Sequence, residues 1–239
     1  ITDKTKALIL CSPSNPTGSC YSKDDLEGLA EVLRKYPDVV IISDEIYEYI
    51  VFDGEHVSIL NVAPDLKDRT VVINGFSKGF AMTGWRLGYL AAHPDIVKAV
   101  SKIQSQETSA PSSISQAAGV AAYTNDLSEV EKMREQFSKR RDFMVESLNA
   151  IDGVSCFTPG GAFYVFPDIS SFLGTKTADG KVMETSTDLC LYLLDEFGLA
   201  VVPGDAFGEP NGLRMSYAAS IEDLEEAMDR FKKGLATLS

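Results

Sequence analysis

The sequence has no apolar run that approaches the ~20 residues of a membrane-spanning helix, and its first residues show no signal-peptide pattern. Basic residues are also few. The sequence has 22 Lys and Arg and 35 Asp and Glu, which gives a formal net charge of -13. A nucleic-acid-binding protein needs a basic surface for the phosphate backbone. The sequence therefore predicts a protein with no membrane partner and no nucleic-acid partner.

Cysteine and histidine are few and scattered along the chain. The 4 cysteines form no CxxC pair, and the 2 histidines are His56 and His93. This pattern argues against a metal site and a disulfide framework, and it favours a reducing compartment. The remaining composition is ordinary for a globular protein, with 44% hydrophobic and 24% charged residues. The length of 239 residues is enough for one large domain or two modest domains, each with a hydrophobic core.

The first half of the chain alternates short apolar runs with amphipathic stretches. Strands are predicted at residues 7–11, 39–43, 70–74 and 87–92. Helices are predicted at residues 22–35 and 94–106, with Ser22 as the cap of the first. Continuous apolar strands that alternate with helices are typical of a mostly parallel sheet flanked by helices. We therefore predict an α/β fold for this half.

The pattern changes after Asn125. A long charged helix is predicted over residues 128–151. It is followed by predicted strands at residues 154–157, 162–167, 199–203 and 213–217, and by predicted helices at residues 187–197 and 221–235. This mixture indicates a smaller α+β unit, so we place a domain boundary between residues 126 and 127.

Unusual residues follow three of the predicted parallel strands. Asn15 lies in the loop SPSNPTG after the first strand, Asp44 follows the second, and Ser77 and Lys78 follow the third. Ligands of open α/β sheets bind outside the carboxyl ends of the strands. The sequence therefore predicts a site at this edge, although a tight turn alone would also explain the first loop.

The residue types at these strand ends suit a chemical role. Asp44 and Tyr47 are three positions apart and can face one ligand, whereas Asp44 alone could simply cap a helix. Lys78 lies in NGFSKGF, an apolar setting that suits a lysine able to form a Schiff base, whereas an isolated lysine is ordinarily a solvated surface residue. Arg86 offers a fork-shaped donor for a phosphate or carboxylate.

These motifs carry a family resemblance. The ordered set SPSNPTG, SDEIY, NGFSK, MTGWR, GGAFY, PGDAFG and LRMSYA resembles the aspartate aminotransferase family of fold-type I pyridoxal-phosphate enzymes, over residues 4–236. The segment KIQSQETSAPSSISQ is similar to the branch that includes aspartate/prephenate aminotransferases. The resemblance implies the C-terminal part of that fold, with residues 1–126 in the large cofactor-binding domain and residues 127–239 as a connecting helix and small domain.

The resemblance also implies residue roles. Lys78 matches the lysine that holds pyridoxal 5'-phosphate and moves the substrate proton, and Asp44 matches the partner of the pyridine nitrogen. Tyr47 and Asn15 match the donors to the ring oxygen, with Asn15 also on the substrate side. Arg86 matches the phosphate-binding arginine. The family pattern further suggests a cis peptide bond between Asn15 and Pro16, which proline permits at low cost.

Substrate recognition is implied at three further positions. Arg214 matches the arginine that grips the substrate α-carboxylate, although a surface arginine is the alternative. Gly161 and Phe163 match substrate-side lining, although GGAFY could simply be a bulged strand. Many family members have a phosphate-binding serine at the position of Gly75. Ser77, one position before Lys78, is the cofactor-binding serine that we expect here. No arginine between Arg86 and Arg134 is available for a second substrate carboxylate.

The implied activity is transfer of an amino group between an amino acid and a 2-oxo acid, with aspartate and 2-oxoglutarate as the first pair and prephenate as another acceptor. Aromatic or alanine transamination, a β-lyase, and a non-catalytic fragment are the alternatives. The family's glycine-containing phosphate turn and ring-stacking aromatic residue cannot be assigned here. We therefore expect a fragment of a longer homodimeric enzyme of the cytoplasm or plastid stroma, inactive on its own and without a metal.

Overall fold

The computed structural model describes residues 1–239 and divides into two compact units. Unit 1 comprises Ile1–Ser14 and Ser19–Arg134, and unit 2 comprises Asn15–Gly18 and Glu135–Ser239. The loop that carries Asn15 therefore belongs with the second half of the chain. The family domain boundary at residue 126 stays a prediction.

Unit 1 contains a four-stranded sheet with the order β1-β2-β3-β4. Its strands are β1 (Ala7–Cys11), β2 (Val40–Asp44), β3 (Thr70–Gly75) and β4 (Gly88–Ala91). Strands β1, β2 and β3 are parallel, and β4 is antiparallel to β3. The prediction of a mostly parallel sheet is confirmed.

Five helices belong wholly or partly to unit 1. They are α1 (Lys23–Arg34), α2 (Ile59–Val62), α3 (Pro94–Glu107), α4 (Ser113–Thr124) and α5 (Ser128–Asn149), the last of which crosses into unit 2. The predicted cap of α1 is confirmed, because Ser22 and Asp25 form a reciprocal capping box. Helix α4 escaped sequence prediction because its run of small residues has little amphipathic pattern, and only Ser115 and Gly119 are buried in it.

The core of unit 1 lies where α1 and α2 cover β1 and β2. Leu26, Ala30 and Leu33 form one apolar stripe of α1, and they belong to the same buried cluster as Leu10 and Ile41 of the strands. Full burial of one such leucine or isoleucine side chain contributes about 1.5–3 kcal/mol. This packing fixes β2, and with it the position of the residues that follow the strand.

Unit 2 contains a small antiparallel sheet with the order β5-β7-β6. Its strands are β5 (Tyr164–Val165), β6 (Val202–Pro203) and β7 (Leu213–Ser216), and its helices, besides the end of α5, are α6 (Ser186–Phe197) and α7 (Ile221–Ala236). The strand predicted at residues 154–157 is wrong, since only a single bridge joins Ser155 to Asp168. The Asn149 side chain instead accepts from the Cys156 N–H at 2.8 Å and donates to the Cys156 carbonyl at 2.9 Å.

None of the helices combines the length and the apolar composition that a crossing of the bilayer requires.

Candidate active site

The carboxyl ends of β2 and β3 bring two predicted site segments to one edge of the unit 1 sheet. Asp44 is the last residue of β2 and is in register with Ile73 of β3. Lys78 follows shortly after the end of β3, and its Nζ lies 6.0 Å from the centre of the Tyr47 ring. A carboxylate, a phenol and an amine are therefore presented along the same edge.

The turn from Asp44 to Tyr47 is held by backbone hydrogen bonds. The Glu45 N–H donates to the Ile73 carbonyl at 2.9 Å, and Asp44 Oδ1 accepts from the Ile46 N–H at 3.2 Å. The Tyr47 side chain is buried. A carboxylate has about four acceptor sites, so this local hydrogen bond leaves Asp44 able to accept from a ligand as well.

Aromatic packing supports the segment that carries Lys78. A Cβ atom on Gly79 would lie 2.7 Å from the Tyr49 ring, so glycine is required at this position. The Phe80 ring meets the Tyr49 ring edge to face at a centroid distance of 5.1 Å. Lys78 and Ser77 are both half-buried. The lysine is therefore held on a packed turn rather than on a solvated surface.

Arg86 ends a short 3-10 turn in an uncommon backbone conformation. Its φ is 51°, in the left-handed region, and its exposed guanidinium donates from Nη1 to the Thr83 carbonyl at 3.1 Å. A residue other than glycine held there costs about 1–3 kcal/mol, and such residues cluster at functional sites. The Arg86 side chain is otherwise exposed.

Gly75 has no space for the serine that many family members carry at this position. A Cβ atom on Gly75 would lie 3.0 Å from the Gly88 Cα and 3.0 Å from the Leu87 carbonyl oxygen. A serine would therefore push β3 and β4 apart at their paired ends. Phosphate binding by Ser77 and Arg86 stays a prediction.

Unit 2 brings together Asn15 and Arg214, which lie 199 positions apart in the chain. The Asn15–Pro16 peptide bond is cis, as predicted. Arg214 lies on β7 between the buried residues Leu213 and Met215, and its Nη1 donates to Asn15 Oδ1 at 2.8 Å. Arg214 is half-buried and a side chain holds its guanidinium, so it is not a freely solvated arginine. Its role in binding a substrate carboxylate stays a prediction.

Two aromatic rings that the sequence did not single out flank the Arg214 guanidinium. Its Cζ lies 4.7 Å from the centre of the Tyr164 ring and 5.1 Å from that of Phe207. The Arg214 Nε is buried and has no hydrogen-bond partner. Buried donors are almost always paired, so this atom marks a place for an acceptor such as a carboxylate, which arginine binds through two parallel hydrogen bonds.

Replacing Phe207 by leucine is expected to weaken the hold on the guanidinium without loss of the fold, because the Phe207 ring is 37% exposed. A cation–π contact of this kind contributes about 0.5–1 kcal/mol. If Arg214 binds a substrate carboxylate, as the family resemblance implies, we expect KM of the complete protein for that substrate to rise about two- to fivefold. Steady-state kinetics check this. Phe157→Leu, at a 48% exposed ring of the same unit, is the control; an equal KM change in both variants would contradict the assignment.

The loop of Asn15 packs so closely within unit 2 that only glycine fits at position 18. Gly18 has a φ of 69°, and a Cβ atom there would lie 2.5 Å from the Pro159 Cβ and 2.7 Å from the Gly161 carbonyl oxygen. The Gly161 N–H also donates to the Gly18 carbonyl at 2.9 Å. The glycine of NPTG therefore serves close packing, which places Asn15 against Arg214.

The segment GGAFY is kinked rather than a regular strand. Ala162 has a φ of 58°, and β5 begins only at Tyr164. The Phe163 ring stacks on Phe137 at a centroid distance of 5.3 Å. Phe163 therefore packs against helix α5, and a role for it and Gly161 in lining a substrate site stays a prediction.

Comparisons with known proteins agree on one family. The family model described as "Aminotransferase class I and II" matches residues 1–231. The chain is 48% identical to a bifunctional aspartate aminotransferase and glutamate/aspartate-prephenate aminotransferase of Petunia hybrida, and covers 50% of that protein. It is 47% identical to a probable aspartate/prephenate aminotransferase of Rickettsia bellii, and covers 60% of it. Both matches include 100% of this chain.

A solved structure gives the same result for the fold. The aspartate aminotransferase of Rhizobium meliloti matches 100% of this chain with a TM-score of 0.96 and 46% sequence identity, and 60% of that chain is covered. The chain thus spans about half to three fifths of the length of the proteins it matches.

Proposed function

The chain belongs to the class I and II aminotransferase family, and on that basis we propose that the protein containing it transfers an amino group between an amino acid and a 2-oxo acid. The cofactor in this proposal is pyridoxal 5'-phosphate. The observation that carries it is the placement of Lys78 beside the Tyr47 ring, along the sheet edge where β2 ends in Asp44.

The donor set of unit 1 fits this cofactor. When bound, the cofactor supplies an electron sink that stabilises negative charge on the substrate Cα. Asp44 would hold the proton of the pyridine nitrogen, and Tyr47 would donate to the ring oxygen. Lys78 would attach the cofactor and then carry the proton, while Arg86, and in our proposal Ser77, would bind the phosphate.

The unit 2 residues fit the α-carboxylate that an amino acid and a 2-oxo acid share. The Arg214 Nη1 is held by Asn15 while its Nε has no partner. A carboxylate could accept from that Nε and a neighbouring guanidinium nitrogen together. Asn15 would orient the guanidinium and donate its own amide N–H toward the cofactor ring oxygen.

We propose aspartate and 2-oxoglutarate as the first substrate pair and prephenate as a further acceptor. The names of the matched relatives contain aspartate and prephenate, and 2-oxoglutarate is the acceptor that the family resemblance implies. We also propose that the complete protein is a homodimer and is located in the cytoplasm or plastid stroma. Aromatic or alanine transamination and β-lyase activity remain the alternatives, since no described residue is tied to a substrate side chain.

Turnover of aspartate with 2-oxoglutarate by the complete protein tests the function, with phenylalanine, alanine and cysteine conjugates as competing donors. Preference for aspartate supports the proposal, and conversion of only another donor assigns one of the alternatives. The 239 residues as printed are expected to be inactive alone. Misplacement of a catalytic group by ~1 Å can cost on the order of 100-fold in rate. This chain covers only 50% and 60% of the two relatives named above, so the rest of their length has no counterpart in it.

A further inference from the structure

Glu45 occupies the position between two residues of the proposed site, Asp44 and Tyr47, and its side chain is buried. The residue is 5% exposed. Its Oε1 accepts from the Ser43 hydroxyl at 2.8 Å and from the Ser58 hydroxyl at 2.6 Å. Its Oε2 lies 3.2 Å from His56 Nε2. We call these four side chains the Glu45 network.

We propose that the Glu45 network is a positioning device, which holds the turn from Asp44 to Tyr47 in the geometry that cofactor binding needs. The inference rests on the proposed function for its catalytic consequence, whereas its structural part stands alone. Glu45 and its partners would touch neither cofactor nor substrate. They would act through the backbone that carries the Asp44 carboxylate and the Tyr47 hydroxyl.

The Glu45 carboxylate is held in its ionised form by its donors. Burial raises the pKa of this carboxyl, but the hydrogen bonds from His56, Ser58 and Ser43 outweigh burial and leave the pKa below its ordinary value. An ionised carboxylate only accepts hydrogen bonds, so His56 Nε2 carries the proton of that contact. Each donor is therefore directed at Glu45, and each would be left unpaired if the carboxylate were removed.

The network also closes a loop of the chain. Ser43 lies on β2, whereas Ser58 caps α2, where its Oγ accepts from the Leu60 N–H at 3.3 Å. The segment from Tyr47 to Ser58 therefore leaves the sheet edge and returns to it at the same carboxylate.

A metal site is the competing explanation for this cluster. Ligand atoms of Glu45, Glu48 and His56 lie within 4.8 Å of one another. Both Glu45 oxygens already accept hydrogen bonds from the two serine hydroxyls and from His56. The geometry therefore favours hydrogen bonding over metal ligation.

The test compares His56→Leu with His56→Gln in the complete protein. Leucine removes the donor to Glu45, whereas glutamine keeps an N–H donor near the position of Nε2. We expect kcat to fall about 100-fold in His56→Leu, through displacement of the turn, with KM for aspartate little changed because Arg214 is untouched. His56→Gln is expected to restore most of kcat. Glu55→Gln, at the exposed neighbouring glutamate, is the control.

Two further readouts separate the inference from the proposed function. Hydrogen exchange of the peptide containing residues 44–47 is expected to be at least ~10-fold faster in His56→Leu than in wild type, since the turn opens locally, and to stay slow in His56→Gln. The pH titration of the bound cofactor's absorbance is expected to shift in His56→Leu, because the Tyr47 hydroxyl no longer meets the ring oxygen. Ser43→Ala, a milder loss of one donor, replaces His56→Leu if that variant does not fold.

Unchanged exchange in a folded His56→Leu or Ser43→Ala variant would overturn the inference, whatever the function. Faster exchange with unchanged kcat and cofactor absorbance would also overturn it, because the network would then only stabilise the fold. A wild-type protein that binds no pyridoxal phosphate would overturn the proposed function, while slow exchange in wild type that is lost in His56→Leu would still support the structural role of the network.

Discussion

Replacement of Lys78 by alanine is expected to abolish transamination by the complete protein. Lys78 follows β3 on a packed turn, with its Nζ 6.0 Å from the Tyr47 ring centre. In the proposed mechanism it both attaches the cofactor and moves the substrate proton. Loss of the proton-transfer role alone lowers kcat by about 10²–10⁴-fold, and loss of attachment adds to this. Steady-state turnover of aspartate and 2-oxoglutarate measures the effect.

Lys67→Ala is the matched control for this substitution, since Lys67 is an exposed lysine of the same unit. It is expected to retain wild-type turnover. A small primary amine added to Lys78→Ala should restore a small part of the activity, because it can enter the space left by the side chain and replace the missing proton carrier. Turnover of Lys78→Ala close to wild type would show that the proton is moved by another group.

Replacement of Arg214 by alanine is expected to weaken substrate binding strongly. Its guanidinium is hydrogen-bonded to Asn15 and flanked by the Tyr164 and Phe207 rings, and its Nε has no partner. Truncation of one partner in a buried charge pair costs about 2–5 kcal/mol. We therefore expect kcat/KM to fall about 30-fold to several thousandfold.

The pattern across substrates distinguishes carboxylate binding from a general defect. The amino acid and the 2-oxo acid share the α-carboxylate, so KM should rise for both. Arg214→Lys keeps the charge but loses the planar fork, and its kcat/KM should lie between those of wild type and Arg214→Ala. A change for only one of the two substrates would assign Arg214 to a side-chain carboxylate instead.

Much of the unit 1 fold could be predicted from local sequence patterns. The apolar runs that became β1, β2 and β3 are short and continuous, as expected for strands buried in a parallel sheet. Ser22 and Asp25 form a capping box that fixes the start of α1. Parallel strands present their carboxyl ends at one edge, so the positions of Asp44 and Lys78 followed from the strand assignments alone.

The errors have local causes. The residues at 154–157 resemble a strand, but the Asn149 side chain occupies the backbone groups of Cys156. Such a contact competes with a strand ladder and leaves no periodic signal in the sequence. Helix α4 was missed for a different reason. Most of its positions carry small residues, so its sequence shows no clear division into a buried and an exposed face.

The side-chain partners of the candidate site were less predictable than its strand ends. Tyr164 and Phe207 lie within the quoted motifs GGAFY and PGDAFG, but nothing in their spacing indicates that both rings face Arg214. His56 reaches Glu45 only because the intervening loop returns to the sheet edge. Contacts of this kind depend on tertiary packing, whereas strand ends depend on local pattern.

The central claim is that Lys78 is the attachment point of the cofactor, and chemical trapping tests it most directly. The complete protein would be incubated with pyridoxal 5'-phosphate, reduced with borohydride, digested and mapped by mass spectrometry, with Lys78→Ala in parallel. We predict one labelled peptide, modified at Lys78, and no such label in the variant. Stoichiometric label on a different lysine, with Lys78 unmodified, would contradict the account.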